Sequence, residues 1–255
     1  MASVRQLELR FSQRGGQRKG AGRPRKKDAG VSHLRRPSLS RHHPVHVTLR
    51  VRRGIPSLRE RALFASVRRA LNAGKERFGS ALVQFSVQSD HLHLIAEARD
   101  RRALSRGLQG LSIRVARAVN RRLEREGRVF AERYHARALK TPRAVRFALR
   151  YVLLNVRKHA PIEHRKSSTA QHRKSPNPQR PAEVPPGFVD RCSSAPWFAG
   201  FARPSELAFG ARQARAEWAR TSGSSDPPVM PAHSWLLRAG QLRAGPFDVD
   251  DIPGE

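Results

Sequence analysis

The chain is poor in the residues that build covalent or metal-based scaffolds. One of its 255 residues is cysteine, Cys192. That excludes an intramolecular disulfide and a thiolate zinc cage, and with them zinc fingers and ribbons as the source of a basic character. Aromatic residues make up 6%, and two of them are tyrosines, Tyr134 and Tyr151. Acidic residues are scarce, with 20 Asp and Glu facing 51 Lys and Arg for a formal charge of +31. No apolar run approaches the ~20 residues of a membrane span or the apolar stretch of a signal peptide, so a cytoplasmic location without a membrane partner is expected. The length is ample to bury a core without staples. What remains in excess is positive charge, and the natural counterpart of a polycation is a polyanion, nucleic acid first.

The excess is N-terminal. Residues 1–160 carry 39 Lys and Arg against 10 Asp and Glu, and residues 161–255 carry 12 against 10. Of the basic residues 43 are Arg and 8 are Lys, a ratio that suits bidentate phosphate contacts, although a coding bias toward arginine gives the same ratio. Residues 1–41 are rich in Gly, Arg and Ser with little apolar periodicity and read as a flexible basic arm with DNA affinity. Within the arm, Gly22-Arg23-Pro24-Arg25-Lys26-Lys27 resembles an AT-hook core, whose arginines enter the minor groove of AT-rich DNA. Ala21 stands where such hooks carry another arginine, so a plain electrostatic arm is the alternative. Either way Arg23, Arg25, Lys26 and Lys27 are DNA-binding candidates.

From Pro44 the texture changes. Val45, Val47, Leu49 and Val51 alternate with His46, Thr48 and Arg50, the period of a half-buried strand. Ser57 with Glu60 three residues on predicts a capping box, and Leu63, Val67 and Leu71 continue at helical spacing to Gly74. Ala81, Val83, Phe85 and Val87 predict a second strand, Ser89-Asp90 a tight turn, and His91 to Ala96 a third strand. Leu104, Leu108, Leu111, Val115 and Val119 stripe a long arginine-decorated helix. Residues 135–140 predict a short strand, and Thr141-Pro142 caps a helix running to about His159. The order β-α-β-β-α-β plus a helix predicts an α+β, ferredoxin-like split βαβ fold: an antiparallel sheet with helices on one face and the other face free. The division expected is an arm at 1–41, a catalytic domain at 42–160, a disordered Pro- and Ser-rich linker at 161–189, and an appendage with an acidic tail at 190–255.

On the third strand His91 and His93 are two residues apart, so both imidazoles share a face. Two neutral imidazoles leave open positions on a divalent ion that polarises a phosphoryl oxygen; an ordinary half-exposed pair has the same pattern. In the last helix Phe147, Tyr151, Asn155 and His159 run at four-residue steps beside the packing stripe Val145, Leu149, Val152 and Val156. If that stripe meets the histidines, Tyr151 can attack a polarised phosphate. A tyrosine serving core packing is the alternative.

His91-Leu92-His93 after a short turn, a basic helix, and then Arg150-Tyr151-Val152-Leu153-Leu154-Asn155 closely resemble the single-tyrosine HUH transposases, specifically the REP-associated tyrosine transposases, over about residues 40–160. The resemblance implies enzymes that nick and rejoin single-stranded DNA, often beside a hairpin, by attack of tyrosine to give a 5′-phosphotyrosyl link and a free 3′-OH. By position it makes Tyr151 the nucleophile, His91, His93 and Asn155 the holders of Mg or Mn, and Arg133 and Arg137, in and after the Phe130–His135 stretch, DNA-binding residues; Tyr134 becomes structural or DNA-contacting. Val156 replaces the proline usual after Asn, which lets the helix continue. Because phosphotyrosine keeps the energy of the cleaved phosphodiester, no nucleotide cofactor is needed. A free tyrosine hydroxyl has a pKa near ~10 and needs help from metal or water.

Two other readings stand beside this one. His46-Val47-Thr48-Leu49-Arg50 looks like half of a two-histidine phosphoesterase, but His91-Leu92-His93 has His where Thr or Ser should complete the second half, so His46 is expected to line the groove or structure its strand. A non-catalytic nucleic-acid-binding module, or a domesticated transposase acting as regulator, fits the charge; an RNA-binding sheet would carry stacking aromatics on central strands, and Phe85 alone fits that poorly. The sequence leaves monomer or homodimer open.

Overall fold

The computed structural model describes residues 37–156, 187–202 and 208–251. Arg23, Arg25, Lys26 and Lys27, and most of the expected linker, lie outside the described residues. The elements are β1 (Val45–Arg50), α1 (Arg61–Ala73), β2 (Glu76–Arg77), β3 (Ser80–Val87), β4 (His91–Ala98), α2 (Arg101–Arg122), β5 (His135–Ala138), α3 (Pro142–Leu153), α4 (Ala208–Ser222) and α5 (Trp235–Arg238), with short 3₁₀ turns at Ala195–Trp197 and Gly240–Ala244.

The strands form one sheet in the order β2-β3-β4-β1-β5. Its pairings are antiparallel throughout, and apart from the two-residue β2 the order is that of the split βαβ. The period-2 patterns decide the faces. Val45, Val47 and Leu49 of β1 and Leu92, Leu94 and Ala96 of β4 enter a core with Leu63, Val67 and Leu71 of α1 and Leu104, Leu108, Leu111, Val115 and Val119 of α2. Each such side chain stabilises by roughly 1.5–3 kcal/mol on full burial. Asp100 caps α2 by accepting from the Ala103 amide at 2.7 Å. Gly107 lets α2 lie close on β3, since a Cβ there would stand 2.6 Å from that of Ser80.

The face expected to be free is covered. Ile95 and Val83 point into a second core with Val145, Leu149, Val152 and Leu153 of α3 and with Phe201, Leu236, Leu237, Phe247 and Val249. Thus α1 and α2 pack on one face, while α3 and the C-terminal region pack on the other. The C-terminal region also closes the sheet edge. Where β2 ends, the main chain of β3 is met at Leu82 O by Met230 N (2.8 Å), at Phe85 O by Ser194 N (2.9 Å), and at Val87 N by Cys192 O (2.8 Å). An edge strand with free amides and carbonyls is a template for aggregation; here it is paired along its length.

The first helix starts later than the capping box predicts. Ser57 Oγ accepts from the Arg59 amide at 3.3 Å, two residues on, and the Leu58 amide is held by Ser89 O at 3.0 Å. That tertiary bond fixes a turn at residues 57–60, so the helix begins at Arg61.

Candidate active site

The antiparallel register of β1 and β4 sets Thr48 opposite His93 and His46 opposite Ile95. Because valines and leucines take the alternate positions, His46, Thr48, His91 and His93 all project from the α3 side of the sheet. The Nε2 atoms of His91 and His93 converge to 2.9 Å. Each ring is fixed from behind through its other nitrogen: His91 Nδ1 lies 2.7 Å from Asp90 Oδ1, and His93 Nδ1 lies 3.2 Å from Thr48 Oγ1 and 3.3 Å from His46 Nε2. His93 is buried, and His91 is partly open.

The third element is α3. Thr141 caps it by accepting from the Ala144 amide at 3.1 Å, with Pro142 in the first turn. Burial of Val145, Leu149 and Val152 fixes the rotation of the helix and turns the neighbouring stripe toward the histidines. The half-buried Tyr151 ring stands edge-on to His93 with centroids 4.9 Å apart, and to His46 at 5.8 Å. Along the stripe burial increases: Phe147 is 41% exposed and Asn155 is 1% exposed. The first run of helix ends at Leu153, where Leu154 leaves helical geometry (φ −109°, ψ 17°); Asn155 and Val156 are helical again, and the expected end at His159 lies outside the described residues. The interruption therefore precedes Val156 and does not need a proline there.

Burial, and secondarily the positive charge of Arg137, push the His46 imidazole down to about 4, so it is neutral at physiological pH. Arg137 pairs opposite His46 on β5 and is exposed, placing a cation beside the histidine face. Arg133 is exposed in the segment before β5. Tyr134 packs against the core on the α1/α2 side. Burial alone would raise the Asp90 carboxyl, but the hydrogen bond and charge of His91, with Arg50, hold it below its ordinary value.

A divalent metal fits this donor set on two observations. Two imidazole Nε2 atoms 2.9 Å apart match neighbouring ligand positions on one ion with metal–nitrogen bonds of about 2.0–2.1 Å, and each ring's far nitrogen has the kind of partner that orients metal-bound histidine. Among the described residues no group of three or more His, Cys, Asp or Glu gathers as a metal cage, so any further donor among them is of another kind. Both amide atoms of Asn155, one turn past Tyr151, are buried without a hydrogen-bond partner among the described residues, the state expected of a ligand side chain lacking its ion.

The structure thus brings together His91, His93 and Tyr151, sets beside them His46, expected to line the groove or structure its strand, and adds Thr48 and Asp90, which sequence reasoning did not assign to the site. The alternation His46-Val47-Thr48 was the available signal, because it puts both side chains on the polar face of β1.

No curated protein matches the chain. A solved structure of a REP-associated tyrosine transposase bound to a REP hairpin is similar over 51% of this chain and 74% of its own, with 17% identity and a TM-score of 0.42. Residues 40–153, which carry the whole of β1 to α3 and hence both histidines and Tyr151, match the family model described as transposase IS200-like. The match spans just under half of the chain, and over this segment the chain is similar to the IS200-like transposases.

Proposed function

We propose that this chain nicks and rejoins single-stranded DNA beside a hairpin through a covalent 5′-phosphotyrosine at Tyr151. The observation that carries the reading is the Tyr151 ring 4.9 Å from His93, whose Nε2 in turn converges with that of His91. In the step proposed, Tyr151 Oη gives its proton to solvent and bonds to phosphorus. The P–O3′ bond breaks, and the departing oxygen takes up a proton as a free 3′-OH. A 3′-OH attacking the phosphotyrosine reverses the sequence and joins strands. Mg or Mn would be held by His91, His93 and Asn155, and when bound supplies Lewis-acid polarisation of a phosphoryl oxygen. Asp90 and Thr48 hold the imidazoles with their Nε2 atoms aimed at one point, so little reorganisation is needed on binding. The exposed guanidinium of Arg137 supplies a phosphate contact at the edge of the site.

The test uses hairpin-bearing single-stranded oligonucleotides labelled at the 3′ end, incubated with the protein and Mg or Mn and resolved under denaturing conditions. A denaturant-resistant protein–DNA species is expected, lost in Tyr151→Phe while DNA binding persists. Undiminished adduct in that variant moves the nucleophile elsewhere, and adduct carrying only 5′ label reverses the polarity.

A further inference from the structure

On the outer side of α1 and α2, across the sheet from Tyr151, lies a groove of about 650 Å³ lined by Arg69, Arg114, Arg117, Arg121 and Arg122, with Glu124 at its rim. Its floor is small: Ser66, Ala70, Ala73 and Ala118. Arg69, Arg117, Arg121 and Arg122 are exposed, and Arg114 is half-buried. Among the described residues none of the five takes part in a salt bridge, so five guanidiniums share one groove with a single carboxylate, that of Glu124, at its rim. We infer that this groove is a second nucleic-acid site, which grips the phosphate backbone of double-stranded DNA.

Three observations select that partner. First, no lining side chain is aromatic, whereas single strands are held by bases stacked on aromatic rings; the groove offers charge and hydrogen-bond forks alone, the means of reading a backbone. Second, the alanine floor admits close approach. Third, Arg114 to Arg121 span about 10 Å of helix axis at 1.5 Å per residue, a length over which duplex DNA carries about six phosphates at one charge per ~1.7 Å. The site faces away from Tyr151, so the duplex it holds is a different segment from the strand presented to the tyrosine. The inference rests on the proposed function only in taking DNA as the substrate.

The experiment measures binding of a blunt DNA duplex to the full chain by fluorescence anisotropy between 50 and 200 mM salt. In Arg69→Gln/Arg117→Gln/Arg121→Gln the slope of log K against log salt should fall by about 2.7, at ~0.9 per phosphate contact. A control of equal charge loss on the C-terminal region, Arg212→Gln/Arg220→Gln/Arg238→Gln, should leave it nearly unchanged, and the corresponding Arg→Lys triple in the groove should retain most of it. An unchanged slope in the groove variant, or an equal fall in the control, overturns the site; an RNA duplex bound more tightly than DNA overturns the partner. Adduct formation on single-stranded substrate is read separately. Its absence in the parent, with the slope difference intact, sinks the nicking reading and leaves the groove standing.

Discussion

Replacing Asp190 should loosen the C-terminal region from the sheet and α1. Asp190 is 2% exposed and accepts from both terminal nitrogens of Arg59, at 2.9 and 2.8 Å. It also accepts from the Cys192 amide at 3.0 Å, the residue whose carbonyl pairs with Val87 on the sheet edge. Burial works against the Arg59 charge, but Asp190 more than offsets it and raises the guanidinium above its ordinary value. Breaking a buried pair from one side costs about 3–5 kcal/mol. Arg59 keeps 24% of its side-chain exposure and a bond to Val87 O, which argues for the low end, while the stranded Cys192 amide adds about 1 kcal/mol. Asp190→Ala should therefore cost about 4 kcal/mol. At roughly 2–4 °C per kcal/mol for a chain of this size, the circular-dichroism melting midpoint should fall by roughly 8–16 °C. Asp190→Asn should lose about half as much, and Arg59→Leu/Asp190→Leu should recover most of the loss, because removing both charges spares their desolvation. A melting midpoint for Asp190→Ala within about 2 °C of the parent refutes the clamp.

Burial drives the Cys192 thiol up to about 12, so at pH 8 about 10⁻⁴ of it is thiolate, against about a quarter of a free cysteine. Native protein should resist thiol-reactive dye for hours, with full labelling only in denaturant; rapid native labelling contradicts the buried placement. Asp90→Ala removes the oxygen that orients His91. Because the Asp90 side chain is 63% exposed, the loss is discounted to about 1 kcal/mol, a roughly fivefold weaker Mn affinity by isothermal titration with an unchanged melting midpoint. Equal Mn affinity in parent and variant removes Asp90 from the site.

Much of the fold is written in short-range periodicity. Alternation marks β1, β3 and β4, and the Leu104 to Val119 stripe and the Thr141-Pro142 cap mark α2 and α3, because each signal is local and decided within a turn or a pleat. The second core was not legible, since Phe201, Phe247 and Val249 sit in segments without period and find Ile95 and Leu149 only through the tertiary fold. Buried charges were equally hidden. Arg68 is 2% exposed, flanked by Phe64 and Trp218 at 5.1 and 4.9 Å, yet in the sequence it is one arginine among many on a basic helix.

The candidate site divides along the same line. That His91 and His93 share a face follows from the two-residue period of a strand, and that Tyr151 flanks the packing stripe of α3 follows from the helical period; both are properties of single elements. The partners of His93 belong to a pairing. Thr48 reaches it only because β1 and β4 align Val47 with Leu94 and Thr48 with His93, and a slip of one residue would turn His46 and Thr48 into the opposite core. The register is in turn fixed by burying Val45, Val47 and Leu49 against α1 and α2. The apolar packing on one face of the sheet therefore sets the geometry of the polar cluster on the other, and a substitution such as Val47→Thr, though it touches none of the site residues, acts on the imidazoles through the strand that carries their partners.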